Sequence, residues 1–312
     1  MEFAHAPILL EQAVELLAPH DGGVYVDGTL GGGGHAQGIL AACGPTGRLY
    51  GIDRDAAAIA AASARLAPFG ERFCPIRGNF HDARALLAGQ GVERVDGVML
   101  DLGVSSYQLD AAERGFSYRE DAALDMRMDQ RQALSAYEVV NTYPRGELLR
   151  VLRDWGEEPF ASRIASFIVQ RRADKPILTT GELVRLVEDA VPMGARRQGH
   201  PAKRVFQAIR IEVNGELEPL QRALEDLIAL LEPGGRICVL TFHSLEDRIV
   251  KRCFRTAVDP CICPKSAPQC VCGRKPIGKL AVRKPIVPSP EEIVKNPRAH
   301  SAKLRCLEKL PK

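Results

Sequence analysis

The sequence has 312 residues, of which 46% are hydrophobic and 26% charged, a composition typical of a globular protein with one large and one smaller domain and unlike a disordered chain. It contains no run of about 18 apolar residues, and its first residues lack the basic region and cleavage site of a secretory signal. We therefore expect a cytoplasmic protein without a membrane span, whose small formal net charge of +3 is unevenly distributed.

The first third of the chain alternates short apolar runs with helical patterns. The apolar runs predict four strands, at residues 23–27, 47–53, 73–80 and 95–103. Helical patterns fill the segments between them, and a parallel sheet covered by helices has this arrangement. We therefore predict an α/β fold built on a doubly wound sheet.

The pattern then changes to helices without a strand, and strand character returns only at residues 235–242. Two further short strands are predicted near the end of the chain, at residues 281–289 and 301–309. The simplest account is a doubly wound sheet interrupted by an inserted helical domain. The predicted bounds are residues 1–105 and 216–312 for the discontinuous sheet domain and residues 106–215 for the insertion.

Three helix starts carry the signature of a capping box, a hydroxyl side chain followed three residues later by a carboxylate. They are Ser135 with Glu138, Thr179 with Glu182, and Ser244 with Asp247. We therefore interpret Ser244 as a cap rather than a nucleophile. His243 and His5 could each face a cleft, but a lone histidine is more often structural, so we assign neither a catalytic role.

A glycine-rich turn follows the first predicted strand, which ends at Asp27 and continues as Gly-Thr-Leu-Gly-Gly-Gly-Gly into a helix. Glycine permits both a tight turn and the close approach of backbone to a ligand. Asp53, at the end of the second strand, lies where a carboxylate would accept hydrogen bonds from ribose hydroxyls. These features predict a nucleoside cofactor but do not choose it, because Gly31, Gly33 and Ala36 also fit the dinucleotide pattern.

Polar residues also follow the third and fourth predicted strands, as Asn79 with Phe80 and as Asp101. Ligands of an open α/β sheet bind beyond the carboxyl ends of its strands, where all these residues converge. They favour a methyltransferase that uses S-adenosylmethionine. A dinucleotide-dependent oxidoreductase would leave residues 101–128 without a role, and a non-catalytic RNA-binding module would leave the glycine turn unexplained.

The segment DLGVSSYQLDAAERGFSYREDAALDMRM, residues 101–128, closely resembles the RsmH family, also called MraW. Members of that family methylate N4 of one cytosine in the decoding region of 16S ribosomal RNA. The resemblance covers nearly the whole chain, through several long motifs in the order of the family. The other motifs are HAPILL, DGTLGGGGHA, GNF, KRVFQAIRIEVNGEL, LTFHSLEDRIVK and NPRAHSAKLR.

The resemblance implies S-adenosylmethionine as cofactor, a Rossmann-like class I methyltransferase domain, and an inserted helical domain that recognises the substrate. It implies 16S ribosomal RNA in the small ribosomal subunit as partner, and it leaves open whether the chain forms a homodimer. The cofactor contacts of the family fall on positions that all match its pattern here. They are Gly33, Gly34, His35, Asp53, Phe80, Asp101 and Gln108.

Asp101 is the residue for which we hypothesise a catalytic role. Methyl transfer from a sulfonium is an in-line displacement, so the enzyme must align the nucleophile and exclude water. The amino group of cytosine is a poor nucleophile, and Asp101 could accept protons of the base or the cofactor. Many amino methyltransferases place two prolines and an aromatic residue after the polar residue, but this chain has Asp101-Leu-Gly-Val. Ser105 and Ser106 could border the base or form a turn, and Tyr107 could stack on a base or pack against the insertion.

Basic residues are concentrated in two places. Residues 261–312 contain twelve Lys or Arg against three Glu, which favours a polyanionic partner such as nucleic acid, although a solvated basic surface is the alternative. In the insertion, a second group is predicted to surround a loop-to-helix junction, and together with the basic C-terminal part it could form a groove for RNA phosphates. Its members are Arg196, Arg197, Lys203, Arg204 and Arg210.

The nine cysteines are an odd number in a chain without a secretory signal, which argues against a disulfide framework. Four of them form two C-x-C pairs, Cys261 with Cys263 and Cys270 with Cys272. Four thiolates could bind zinc, but C-x2-C is the commoner spacing. We therefore predict no metal ligand and interpret the pairs as reduced thiols in an irregular loop, with zinc as the alternative.

Overall fold

The computed structural model describes residues 7–198, 200–264 and 269–311. The chain forms two compact units, one of Met1–Gly103 with Leu217–Lys312 and one of Val104–Glu216. The roles predicted for these two parts of the chain remain predictions. Within the described residues, none of the helices combines the length and apolar character that crossing a membrane requires.

Seven strands form one sheet in the order β3-β2-β1-β4-β5-β7-β6. Strands β1 to β5 run parallel to one another, and β7 is antiparallel to both β5 and β6. The strands are β1 Val24–Asp27, β2 Arg48–Asp53, β3 Phe73–Arg77, β4 Val95–Asp101, β5 Leu231–Thr241, β6 Gly278–Leu280 and β7 Lys303–Lys309. The predicted α/β class with a doubly wound, Rossmann-like sheet is confirmed.

Thirteen α-helices belong to the described part of the chain. Helices α1 to α4 and α11 to α13 lie in the sheet unit, and α5 to α10 lie in the inserted unit. They are α1 Leu10–Leu17, α2 Gly34–Ala42, α3 Ala56–Leu66, α4 Ala83–Ala88, α5 Ser106–Asp110, α6 Ala136–Thr142, α7 Arg145–Asp154, α8 Ala161–Asp174, α9 Thr180–Ala190, α10 Ala202–Asn214, α11 Leu220–Leu230, α12 Ser244–Val258 and α13 Pro290–Lys295.

The central strands of the sheet are buried on both faces, as expected for parallel strands covered by helices. Successive side chains of a strand point to opposite faces. Tyr25 and Met99 pack with apolar residues of α1, α2 and α3, while the buried residues next to them in sequence, Val26 and Val98, point to the other face. The near-continuous apolar runs of the sequence follow from this two-sided burial.

The strand order reverses between β1 and β4, which lie side by side. β1 connects to β2 on one side of this point, and the chain continues from β4 to β5 on the other. Loops at such a switch point diverge and leave a crevice beyond the carboxyl ends of the strands. Asp27 and Asp101 end the two strands that border it, and Asp53 ends β2 next to them.

The inserted unit has its own apolar core, formed by the inner faces of its helices. Its capping signals are largely as predicted: Ser135 and Glu138 form a complete capping box at α6. Thr179 caps α9 by accepting from the amide of Glu182, but the Glu182 carboxylate accepts from Leu178. A local sequence signal is sufficient here because a cap involves only neighbouring residues.

Two sequence predictions are wrong in the C-terminal part. Residues 281–289 form no strand; only Ile286 makes an isolated bridge, to Leu304, and two prolines in the segment lack the amides that a ladder needs. The short strand β6 precedes them instead.

At α12 the cap is His243 with Glu246, not Ser244, because His243 has the extended backbone of a cap and Ser244 already lies in the helix.

Candidate active site

The glycine turn between β1 and α2 is held by three backbone amides. The amide of Thr29 donates to Oδ1 of Asp27 over 3.1 Å, and the amide of Leu30 donates to the carbonyl of Ile52 over 3.0 Å. The amide of Gly31 donates to Oδ2 of Asp53 over 2.8 Å. These bonds tie the turn to the end of β2, so the Asp53 carboxylate and the glycine backbone form one unit.

Gly33 and Gly34 are required by packing as well as by the turn. Gly33 has a left-handed backbone with φ of 76°, and a Cβ on it would lie 3.1 Å from the Cβ of Ala62 in α3. A Cβ on Gly34 would lie 2.3 Å from Cγ of Pro7. The space that a side chain would occupy at both positions is therefore filled by protein atoms, and any ligand contact there must come from backbone atoms.

Asp53 accepts backbone amides on both carboxylate oxygens. Besides the bond from Gly31 to Oδ2, the amide of Asp55 donates to Oδ1 over 2.8 Å. Burial raises the pKa of Asp53, and these two amides oppose that shift by stabilising its charge. Each oxygen keeps a further acceptor site, so a fixed carboxylate is available for the hydroxyl groups of a nucleoside.

A cluster of buried ionisable groups lies at the carboxyl ends of β1 and β4. Burial raises the pKa of Asp27 to about 6, and the His35 ring opposes this shift when it is protonated. Burial, and next the charge of Glu246, raise the pKa of Asp101 to about 7. Burial lowers the pKa of His35, against the opposing influence of Asp27. Pairs of carboxyl groups with strongly raised pKa values are typical of functional sites.

Asp101 has the properties of a site residue rather than a structural one. Its backbone amide donates to the Thr29 hydroxyl, while its Oδ1 atom is buried and has no hydrogen-bond partner among the described residues. The side chain as a whole remains 31% exposed. A native structure rarely leaves a buried polar atom unsatisfied, so the unpaired oxygen indicates a position where a ligand supplies the missing partner.

Phe80 follows β3 and is buried next to the start of the glycine turn. A Cβ on Gly28 would lie 3.0 Å from the Cβ of Phe80, and the ring contacts that of His81 with centroids 4.3 Å apart. Burial and the charge of Arg54 lower the pKa of His81 to about 4, so this histidine is neutral. The Asn79 side chain accepts from the amide of His81 and fixes the turn.

Gln108 lies in the inserted unit, in the first turn of α5. Its side-chain oxygen accepts from the amide of Ser105 over 3.1 Å, and its own amide donates to the Ser105 hydroxyl. Ser105 and Gln108 thus form a capping box, which supports the interpretation of Ser105 as a turn residue. Tyr107 belongs to the same helix, and its contact with a base stays a prediction.

Gly33, His35, Asp53, Phe80 and Asp101 all belong to the sheet unit, where each lies at the carboxyl end of a strand or soon after it. Gln108 belongs to the other unit. His5 lies outside the described residues, and so does the side chain of Ser106.

Glu246 lies near Asp101 and influences its pKa, although the sequence motifs did not identify it as a site residue. It is buried and lies three residues after His243, with Oε1 3.0 Å from Nε2 of that histidine, and its Oε2 accepts from the amide of Phe242 over 2.8 Å. The spacing of Glu246 three residues after His243 could have predicted this capping box. The sequence favoured Ser244 instead, because capping boxes usually begin with a hydroxyl residue.

The basic residues of the insertion differ in their surroundings, and the RNA groove predicted for them together with the basic C-terminal part stays a prediction. Arg210 is buried in a two-pronged pair with Glu216, with both N···O distances 2.9 Å. Arg196 donates to the carbonyls of Glu188 and Val191 at the end of α9. Arg204 donates to the carbonyl of Glu157 over 3.1 Å, so three of the five basic residues have internal partners. Lys203 and Arg204 are nevertheless exposed. The side chain of Arg197 lies outside the described residues.

The MraW methylase family matches residues 2–310 of this chain. Ribosomal RNA small subunit methyltransferase H of Carboxydothermus hydrogenoformans is 55% identical over 312 residues, or 99% of each chain. The protein of the same name from Heliobacterium modesticaldum is 53% identical over 99% of this chain and 100% of its own. A solved rRNA methylase from Streptococcus thermophilus aligns with 97% of this chain and 94% of its own at 12% identity and a TM-score of 0.41. The family match and the identities above 50% agree with the resemblance seen in the motifs, and the chain belongs to the MraW methylase family.

Proposed function

We propose that this methyltransferase binds S-adenosylmethionine at the carboxyl ends of β1, β2 and β4 and methylates N4 of a cytosine in the decoding region of 16S ribosomal RNA. The relatives at 53–55% identity are named for the small-subunit ribosomal RNA, and the motifs of the sequence resemble those of enzymes with this cytosine specificity. Such a substrate implies a cytoplasmic enzyme that acts on the small ribosomal subunit.

Several features of the site fit this cofactor. Gly34 is the first residue of α2, where its backbone amide can contact the polar groups of the amino acid moiety. Gly33 supports this turn, and its own amide donates to the carbonyl of Leu30. The Asp53 carboxylate is fixed by two amides and can accept from ribose hydroxyls. Phe80 supplies an apolar surface next to the turn. The proposed contacts are Gly33, Gly34, His35, Asp53, Phe80, Asp101 and Gln108.

The cofactor supplies an electrophilic methyl group bound to a sulfonium. The protein must align the acceptor amine with that carbon and keep water out, because an in-line displacement gains most from orientation. The exocyclic amine of cytosine needs an acceptor for one of its protons as its nitrogen forms the new bond. A carboxylate with a pKa near the working pH performs this task best, and Asp101 has a pKa of about 7.

The observation that carries the proposal is the unsatisfied oxygen of Asp101. Oδ1 is buried without a partner among the described residues at the switch point where ligands of this fold bind. A structural aspartate would have both oxygens satisfied, as Asp247 does by accepting from Arg305. We therefore assign Asp101 the role of proton acceptor for the target amine.

The inserted unit is proposed to recognise the RNA. Exposed Lys203 and Arg204 at the start of α10 can contact phosphates, which position a substrate without reading its sequence. The target base must leave its stack to reach the cofactor. Part of the RNA affinity should therefore fall with rising salt, and an affinity that is equal at low and high salt would contradict this role.

The test is incubation of the protein and methyl-labelled S-adenosylmethionine with small subunits that lack the modification, followed by mapping of the label. We expect label at N4 of one decoding-region cytosine, and no incorporation into subunits that already carry the methyl group. Absence of label from cytosine would overturn the proposed substrate. Calorimetry with S-adenosylmethionine and with NAD tests the cofactor separately, since tighter binding of NAD would contradict the cofactor assignment.

A further inference from the structure

Four cysteines come together on the connection between α12 and β6. The sulfur atoms of Cys261, Cys263, Cys270 and Cys272 all lie within 4.8 Å of one another. Cys270 lies 3.6 Å from Cys261, 3.9 Å from Cys263 and 3.5 Å from Cys272, and Cys272 lies 3.9 Å from Cys261. The two C-x-C pairs therefore form one compact group of four sulfurs.

These distances match the edges of a tetrahedron built around zinc. Four sulfurs at about 2.3 Å from a central zinc ion are separated by about 3.8 Å. A disulfide would require a sulfur pair at about 2.05 Å, whereas these four sulfur pairs are 3.5 to 3.9 Å apart. The arrangement fits a metal centre with four thiolate ligands better than it fits either two disulfides or four unrelated thiols.

The connection lacks the apolar contacts that would otherwise hold it in one shape. It runs from Asp259 to Ile277, and in its described part no residue is buried. Ile262 and Val271, the middle residues of the two pairs, are 66% and 87% exposed. A long connection whose described residues belong to no helix or strand is uncommon in a compact domain. Apolar burial in these described residues does not account for the close approach of the two cysteine pairs.

A backbone amide of the same segment points at one of the sulfurs. The amide of Val271 donates to Sγ of Cys263 over 3.4 Å. Hydrogen bonds of this kind orient the ligands of structural metal centres. Zinc with four thiolates carries a net charge of −2, which the neighbouring Arg274 and Lys275 can offset.

We propose that Cys261, Cys263, Cys270 and Cys272 bind one zinc ion, which holds the connection between α12 and β6 in a fixed conformation. The site has no open coordination position, so its role is structural. No other group of potential ligands with this geometry occurs in the parts of the chain that the structure describes. This proposal departs from the sequence prediction of no metal ligand, because the structure places the sulfurs of the two pairs within 4.8 Å of one another.

The test is the metal content of the full-length protein purified under reducing conditions without chelators. We expect about one zinc per chain for the wild type and less than about 0.1 for the double variant Cys261→Ser/Cys272→Ser. Cys74→Ser is the matched control, because Cys74 is a partly exposed thiol outside the group, and it should retain the wild-type zinc content. Circular dichroism and cofactor binding verify that each variant is folded.

A second measurement keeps the proposal testable if the double variant does not fold. In wild-type protein, zinc release should accompany the alkylation of four of the nine thiols, and cobalt in place of zinc should give the absorption of a tetrahedral thiolate complex. Wild-type protein that contains no zinc, that contains iron instead, or that keeps its zinc in the double variant would overturn the proposal. Disulfides within the group in freshly purified, unoxidised protein would overturn it as well.

Discussion

The Nδ1 atom of His35 lies 3.7 Å from Oδ2 of Asp101, while the opposite ring nitrogen lies 3.1 Å from the carbonyl of Ile8. A carbonyl oxygen only accepts, so Nε2 of His35 carries the proton. Burial lowers the pKa of His35, which makes the ring neutral at pH 7 and leaves Nδ1 as an acceptor. His35 therefore offers Asp101 no positive charge, and the raised pKa of Asp101 persists beside it.

Asp101→Asn should decrease the rate of methyl transfer by a factor of about 10² to 10⁴, the usual contribution of a positioned proton acceptor. The amide has nearly the same shape but cannot take a proton from the amine. The measurement is single-turnover methylation of unmodified small subunits at saturating cofactor, with cofactor affinity determined by calorimetry.

Asp96→Asn is the control from the same strand, because Asp96 lies at the opposite end of β4, where its carboxylate accepts from the amide of Val24. Its rate should remain within a few fold of wild type. Normal turnover together with normal cofactor affinity in Asp101→Asn would exclude the proposed role of Asp101.

The stability of the ligand-free protein should contain a term that falls as the pH rises from about 4 to 7. The pKa values of Asp27 and Asp101 are raised from 3.8 to about 6 and about 7. Between about pH 4 and pH 7 the folded state binds more protons than the unfolded state. The contribution of these two carboxyl groups to the free energy of unfolding is therefore fully present below about pH 4 and is lost as the pH rises through 6 to 7. His35 and His81, whose pKa values are lowered, act in the opposite direction below pH 6.5.

Asp101→Asn isolates one of these terms. Between pH 5 and pH 8 the variant should lose about 1 to 2 kcal/mol less of its free energy of unfolding than the wild type does. Urea denaturation at the two pH values provides the measurement. The same pH dependence in both proteins would show that Asp101 does not titrate differently in the folded state.

Gly33→Ala should weaken cofactor binding and destabilise the fold, because Gly33 has a φ of 76° and a Cβ would crowd Ala62. Gly91→Ala is the matched control: its φ is 73°, but a Cβ there would have nothing within 4 Å. In both variants the left-handed backbone should decrease the free energy of unfolding by about 1 to 2 kcal/mol. The decrease should be larger in Gly33→Ala, because its Cβ also crowds Ala62. Only Gly33→Ala should lose cofactor affinity, and equal affinities of the two variants by calorimetry would remove the glycine turn from the binding site.

Arg210→Gln should destabilise the inserted unit by about 3 kcal/mol, because it leaves the Glu216 carboxylate buried without its partner. The two side chains are only 15% and 8% exposed. If Arg210→Gln matched the wild type in stability, the pair would not be structural.

Lys203→Gln, at an exposed position of the same helix, should leave the urea midpoint unchanged. It should decrease the salt dependence of RNA binding by about one unit of slope if Lys203 contacts a phosphate.

The fold class could be predicted from the sequence because its signals are local. The apolar runs that become β1, β2 and β4 are buried on both faces, and Ser135 with Glu138 needs only its own helix turn to form a cap. The residues at the ends of the strands could be predicted for a related reason, since parallel strands bring their carboxyl ends to one edge. Asp27, Asp53 and Asp101 follow from strand assignment alone.

Only the tertiary structure decided which polar groups are satisfied and which are not. Arg210 is separated from Glu216 by a helix end and is still its partner, whereas Oδ1 of Asp101 has none among the described residues. The two cysteine pairs were judged by their spacing, but the fold places their four sulfurs within 4.8 Å. Burial and pairing depend on residues distant in sequence, so composition and periodicity determine the elements, and the packing of those elements determines the chemistry of their side chains.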